Sequence, residues 1–559
     1  MDRPMDSSRT DAASAPPPIP IPAEVDVLVV GYGPVGAAIA NLLGRYGVRV
    51  LAVDKARDIF MAPRAIVLDN EALRILQLAG LDDGDFQKVA IPCVRMLSPR
   101  LGEFGRLNTL GPIDGHPKLV TFYQPELEAA LRRRAAQYGE VQTALGVALA
   151  GFVDNPDGVV ATLDLGDGTA AAVRARYLIG ADGAGSLVRQ LIGQEFAGRT
   201  YSEDWLIVDA VGAKSPIEDV EFLCDHRRPI PHMTAPGGRE RWEFMLRPGE
   251  TRAEMESDAR VSELLAPWGG PAAMTIERKA VYRFHARTAK AFRKGRVFLA
   301  GDAAHITPPF AGQGLVAGLR DAANLSWKIA WVVQGRASAR ILDSYDEERR
   351  PHAKAMIDLA KFMGRLIMPQ SAAVALLTHG TLRLMRLTAA MRRHFDDLGI
   401  KPKNVFPRGL FVPGRSGSKL RRGGPLPQGW VRGPDGAVRL SDEALGSALT
   451  LVGFGRDPRE GLKTATARAF AACGGKVVQF AYRGQARRLR REDCWEDLDG
   501  TLMPGAAPFG WAAVVRPDRA VLNDGPAADV DRMVGESLAL IGTPIPAEAP
   551  FGAVPALSV

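Results

Sequence analysis

The sequence predicts a mixed α/β protein: a parallel βαβ layer, an antiparallel sheet between its two halves, and a smaller α/β unit at the C-terminal end. Three observations predict it. An apolar strand, a glycine turn, a helix and a second strand follow one another at "VDVLVV", "GYGPVGAAIANLLGRYG" and "VRVLAVD", the length of one βαβ crossover. From 197 to 290 the pattern changes to short stretches such as "DWLIVDAVGA", "RWEFMLRPG" and "KAVYRFHAR", whose alternation suits strands with one buried face. A linker rich in Pro and Gly, "FPRGLFVPGRSGSKLRRGGPLPQG", then precedes "ALTLVGFG", "KVVQFAY" and "WAAVVRPDRAVL", strands that alternate with a helix.

Composition bounds the function. With 559 residues, 46% of them hydrophobic, the chain can bury large cores, and its length suggests roughly three or four domains. The 71 basic and 63 acidic residues give +8, but the charges are interspersed. The densest basic run, "RGQARRLRRED" at 483–493, has no interleaved aromatics, so it reads as a solvated face rather than a nucleic-acid surface. Cys93, Cys224, Cys473 and Cys494 show no CxxC spacing, which argues against a zinc site and a disulfide framework; no metal is expected. Residues 1–23 are polar and Pro-rich without the apolar core of a signal peptide, so they read as a disordered tail and the setting as cytoplasmic. No apolar run reaches the roughly 18 residues of a spanning helix. The expected order is a tail at 1–23, a nucleotide-binding region at 24–196 that resumes at 291–365, the sheet layer at 197–290, a helical segment at 366–405 and the C-terminal unit at 406–559.

Gly31, Gly33 and Gly36 form GxGxxG directly after the first strand, and Asp54 ends the next strand 18 residues later. Glycines at this spacing allow a tight turn and close backbone approach, the helix N-terminus can hold a pyrophosphate, and Asp54 can accept ribose hydroxyls. This Rossmann-like unit predicts a dinucleotide but does not separate FAD from NAD. A second strand-to-helix unit, "RVFLAGDAAHITPPFAGQGLVAGLRDAANLSWKIA" at 296–330, bears on that choice. Asp302 at its strand end suits polyol hydroxyls, and backbone N–H groups of "AGQG" at a helix start would stabilise negative charge on a reduced flavin.

Three motifs carry a resemblance to the single-component aromatic hydroxylases, the class A flavoprotein monooxygenases of the para-hydroxybenzoate hydroxylase fold. They are the GxGxxG at Gly31, "GADGAGSLVR" and "GDAAHITPPFAGQG", which together span most of 24–365. More specifically, "PRAIVLDNEALRILQLAGL", "RWEFMLRPGET", "GLRDAANLSWKIAWVVQGRA" and "LDSYDEERRPHAKAMIDLA" resemble the 3-(3-hydroxyphenyl)propionate hydroxylases. The resemblance implies that Gly31, Gly33, Gly36 and Asp54 hold the ADP half of FAD, and that Arg64 and Gln124 contact its phosphates and adjoining ribityl region. Asp182 would support FAD and a visiting nicotinamide, Asp302 the ribityl chain, and Pro309 with Gly312–Gly314 the isoalloxazine ring and the oxygen site. Gly301, Leu315 and Val316 are counted with the cofactor contacts. Ala311 and Val316 stand where the family commonly has Gly and Asn; Val316 loses a side-chain amide near the flavin. The C-terminal region resembles the thioredoxin-like domain appended to many phenol and polyketide hydroxylases. It lacks CxxC, so a packing or dimer-forming role is expected.

Only one dinucleotide fingerprint is present, and the resemblance implies why: NAD(P)H would dock transiently, reduce the flavin and leave, and O2 would then form a C4a-hydroperoxyflavin that attacks a phenol losing its proton. His232, Arg241, Tyr282 and His285, in the sheet layer, are candidates for phenol activation or carboxylate binding; a structural role is expected for His305. The leading expectation is hydroxylation of 3-(3-hydroxyphenyl)propionate or a related phenol. The rivals are hydroxylation of a polycyclic antibiotic or polyketide and a non-catalytic flavin-binding protein; no "WxWxIP" signature points to a halogenase.

Overall fold

The computed structural model describes residues 21–543 apart from 63, 215, 271–272, 389–391, 393–400 and 486–491. Most of the expected tail (residues 1–20), much of the segment at 366–405 and the centre of the Arg-rich run therefore lie outside the described residues.

The strands Val141–Leu145, Val50–Asp54, Glu24–Val30 and Ala170–Gly180 lie side by side in that order, all parallel. The apolar runs of the two central strands, Val50–Asp54 and Glu24–Val30, are buried on both faces because helices cover the sheet. Val297–Leu299 returns to pair in parallel with the end of Ala170–Gly180. Gly158–Asp164 and Ala148–Asn155 extend the sheet antiparallel beside the earlier half of the same strand. The helix Pro34–Arg45 starts at a proline, whose fixed φ suits the first helical turn. It packs on the helix Gly314–Val333, where a methyl group added at Gly318 would lie 2.6 Å from Val35 and 3.1 Å from the Gly301 backbone. That second helix is buried almost all round.

The second sheet runs His305–Ile306, Thr275–Ala289, Phe196–Val211, Arg239–Met245, Ile230–Ala235, Val220–Leu223, Cys93–Ser98 and Gly102–Asn108. It is thus larger than the stretch 197–290: two strands from the first region complete it, because Val220–Leu223 leaves an edge that Cys93–Ser98 pairs in parallel. One face carries Leu206, Trp242, Phe244 and Val281 against Met255, Val261 and Leu265 of two short helices. The other face turns Trp205 and Phe284 toward Phe310 and the helix residues Ile357, Met363 and Ile367.

The C-terminal unit is a seven-stranded sheet, with Leu449–Phe454 parallel to Gly475–Tyr482 and antiparallel to Trp511–Val515. It shares a continuous apolar core with the first region through Leu451, Phe470 and Val514. Buried ion pairs fix the junction. Arg516 donates to both carboxylate oxygens of Glu348 at 2.7 and 2.9 Å, and Arg74 donates to both of Asp442 at 2.7 Å. Among the described residues no helix is long and apolar enough to cross a membrane.

Candidate active site

Val30, Gly180 and Leu299 end three parallel strands in register, so the loops beginning at Gly31, Ala181 and Ala300 leave the same edge of the sheet. That edge is where open α/β sheets take ligands. Gly31 adopts φ +97°, and a methyl group there would sit 2.4 Å from the Ala181 carbonyl oxygen; only glycine lets the two loops touch. At Gly36 a methyl would meet the Gly31 carbonyl oxygen at 1.9 Å, whereas at Gly33 it would meet nothing within 4 Å. The turn is therefore closed beneath Gly31 and Gly36 and open above Gly33, beside a helix N-terminus, as a pyrophosphate requires. Asp54 accepts the N–H of Tyr32 at 2.7 Å and of Ala56 at 2.8 Å, which sets its carboxylate next to the glycine turn.

The later motifs border the same sheet edge. Asp182 accepts from Ser186 Oγ at 2.5 Å and the Val188 N–H at 3.1 Å, bracing its own loop. Arg189 then donates to the Ala303 carbonyl oxygen at 2.9 Å, tying the second motif to the third. Asp302 makes no hydrogen bond among the described residues; burial pushes its carboxyl up, partly offset by His305 and Arg64. A half-buried carboxylate without protein donors is costly unless a ligand supplies them, so the residues present fit a polyol-bearing cofactor at this point. Gln124 Oε1 accepts the N–H groups of Arg64 and Ala65 at 3.2 and 3.0 Å, holding the loop that carries Arg64. His305 lies in the scaffold: its Nε2 is 2.7 Å from Asp321, which also accepts the Gly301 N–H at 3.0 Å and Arg349 Nε at 2.9 Å.

The loop from Pro309 through Gly312 (φ +61°) to Gly314 opens the helix Gly314–Val333. Gln313 points inward, donating to Asp69 at 3.2 Å and accepting from Arg320 at 3.1 Å. Arg320 pairs with Asp69 and Glu71, and Lys401 bonds both carboxylates. Leu315 is half-buried, and Val316 is fully buried within the main core. The sequence reasoning missed Asp69, Glu71, Arg320 and Lys401. The available signal was a pair of acids at the start of one helix and an arginine inside a mostly apolar one.

On the sheet, alternate residues share a face. Arg241 lies opposite Asp209, and Tyr282 opposite Trp205. Arg241 donates to Asp209 at 2.6 and 3.1 Å and to the Arg64 carbonyl oxygen at 3.2 Å, while Arg278 bonds Asp209 at 3.2 Å and the Tyr282 hydroxyl. A cleft of about 310 Å³ opens here between the two layers, lined by Ile66, Phe122, Tyr123, Asp209, Arg241 and Arg278. His232 is not brought to it. Paired opposite Trp242 and stacked on it at 4.5 Å, with Nε2 2.7 Å from Glu240, it belongs to the face covered by the short helices. His285 also points away from Tyr282, toward Thr200 at 3.0 Å.

A glycine turn and acidic loops at the carboxyl edge of one sheet, facing a second sheet across a cleft, fit the class A flavoprotein monooxygenases. The family described as FAD binding domain matches residues 24–360, and the HcaD C-terminal domain matches 423–540. The chain is 36% identical over 527 residues to a 3-(3-hydroxy-phenyl)propionate/3-hydroxycinnamic acid hydroxylase of Burkholderia cenocepacia, covering 90% of this chain and 94% of that one. It is 34% identical to the same-named enzyme of Klebsiella pneumoniae, covering 89% and 91%. In fold it is similar to the flavin-dependent monooxygenase PieE (TM-score 0.77, 22% identity, 93% and 99% covered). It is also similar to the anhydrotetracycline hydroxylase OxyS of Streptomyces rimosus (TM-score 0.73, 23% identity, 94% and 100% covered). The chain belongs to the 3-(3-hydroxyphenyl)propionate hydroxylase family of FAD-dependent aromatic hydroxylases.

Proposed function

We propose that the protein uses NAD(P)H and O2 to insert one oxygen atom into the ring of a phenolic acid of the 3-(3-hydroxyphenyl)propionate type. The observation that carries this reading is Asp302. It stands without a donor at the end of the returning strand, on the same sheet edge as the open Gly33, with the cleft of about 310 Å³ beyond. Gly33 and the helix start after it would hold the pyrophosphate, Asp54 the adenosine ribose, and Asp302 with the Arg64 loop the ribityl region. Asp182 and the loop from Gly301 to Val316, including Pro309, would complete the contacts. When bound, reduced FAD supplies activated oxygen.

The chain's own residues do the rest. Trp205, Phe284 and Phe310 pack edge to face or stacked within 6.0 Å of one another and keep water from the junction of the two layers. Arg241 lines the sheet side of the cleft, and it and Tyr282 would orient the phenolic acid. The C-terminal unit, read as thioredoxin-like, serves packing: Arg516 pairs with Glu348 of the helix Ser344–Ile367 and lies over the Trp327 ring of the helix Gly314–Val333. A small cleft and the names of the relatives support a one-ring acid. The solved neighbours that act on polycycles support the fold alone. Substrate-stimulated NAD(P)H oxidation across phenolic acids and tetracyclic phenols tests the choice; stimulation by the tetracycles alone would reverse it.

A further inference from the structure

Glu243 lies on the strand Arg239–Met245, one position along the same strand face from Arg241, which lines the cleft, and opposite Ile207. Its neighbours in sequence, Trp242 and Phe244, bury into the other face. It is 7% exposed and its carboxylate makes no hydrogen bond among the described residues, whereas its charged neighbours are already engaged: Arg241 and Arg278 both bond Asp209, and Arg278 also bonds Tyr282. A buried carboxylate beside arginines that prefer another partner has no structural task in this arrangement.

We propose that Glu243 is the catalytic base that accepts the phenolic proton. It rests on the hydroxylase reading above. In this step the phenol O–H bond breaks, the proton forms a new O–H bond on the Glu243 carboxylate, and the electron pair stays on the phenolate oxygen, enriching the ring; the proton leaves to solvent with product. Three charged groups act on it from the packed strands: Arg241 on its own strand, Asp209 on the next, and Arg278 beyond. Burial pushes its carboxyl up to about 7, with Arg241 and Arg278 pulling down and Asp209 pushing up, which matches a base to neutral working pH.

The test compares wild type, Glu243→Gln and Glu243→Asp as FAD-loaded enzymes on 3-(3-hydroxyphenyl)propionate and its ring-fluorinated, more acidic analogues, with flavin content measured alongside. The expected result is a loss of about 100-fold or more in hydroxylation by Glu243→Gln on the parent phenol, in the range of general-base effects. That loss shrinks at least tenfold on the most acidic analogue, the acid limb of the pH profile near 7 disappears, and Glu243→Asp restores part of the rate. An unchanged rate and pH limb in Glu243→Gln would overturn the assignment, as would an equal loss on every phenol with the limb intact. Hydroxylation of no phenol by wild type would remove the functional reading and Glu243's role together.

Discussion

Arg241 of the sheet layer donates to the backbone carbonyl oxygen of Arg64 at 3.2 Å, so one guanidinium joins the cleft to the loop beside Asp302. The same side chain grips both oxygens of Asp209. Charge-assisted bonds of this kind contribute about 1.5–3 kcal/mol. Arg241→Met is expected to lower kcat/KM by roughly 10- to 100-fold in steady-state assays. Arg241→Lys should recover little, because an ammonium lacks the planar fork that meets both oxygens.

The glycines separate by what surrounds them. Gly33→Val places a side chain in open space, so the apoprotein should melt as wild type does while FAD affinity, read by fluorescence titration, falls by at least tenfold. Gly36→Ala instead drives a methyl group into the Gly31 carbonyl oxygen and should lower the melting temperature of the apoprotein itself.

Asp302 is expected to be costly without its ligand. Burial raises its carboxyl, so Asp302→Ala should leave the apoprotein as stable or more stable while weakening FAD binding by about 10- to 100-fold. Equal FAD affinity in wild type and variant would remove the role assigned to it.

Glu243 gives a pH signature independent of turnover. Its folded value, raised from 4.5 to about 7, means that the folded state holds the proton more tightly. That contribution to stability is present below the ordinary carboxylate range and is lost as pH rises through about 7. Glu243→Gln should therefore stabilise the apoprotein relative to wild type by more at pH 8 than at pH 4, the difference approaching about 3 kcal/mol in chemical denaturation.

At the domain junction, Arg516→Ala would remove one of the two cations that hold the Glu348 carboxyl well below its usual range, leaving Lys328. Breaking a buried pair from one side costs about 3–5 kcal/mol, and urea unfolding should report a loss of that order.

The glycine turn, the return of the chain at Val297 and the C-terminal sheet were legible in the sequence because each rests on local signals: turn residues, apolar runs and period-two alternation. Asp302 stood out for the same reason, at a strand end before a glycine loop. His232 misled because its strand position, though polar, faces Trp242 and the short helices, and which face of a strand meets a cleft is settled only by pairing. Glu243 was hidden in "RWEFMLRPG" between two aromatics whose burial faces the other way. The Asp69, Arg320 and Lys401 network joins residues more than 300 positions apart in the chain, a distance that no local pattern spans.

The central claim is that this cradle and cleft hydroxylate a phenolic acid. It is tested most directly by incubating the FAD-loaded protein with NAD(P)H, 3-(3-hydroxyphenyl)propionate and isotopically heavy molecular oxygen, then weighing the product. The account predicts one heavy oxygen atom on the ring for each NAD(P)H consumed in coupled turnover. Flavin-loaded protein that oxidises NAD(P)H without transferring label to this or any related phenol would contradict it.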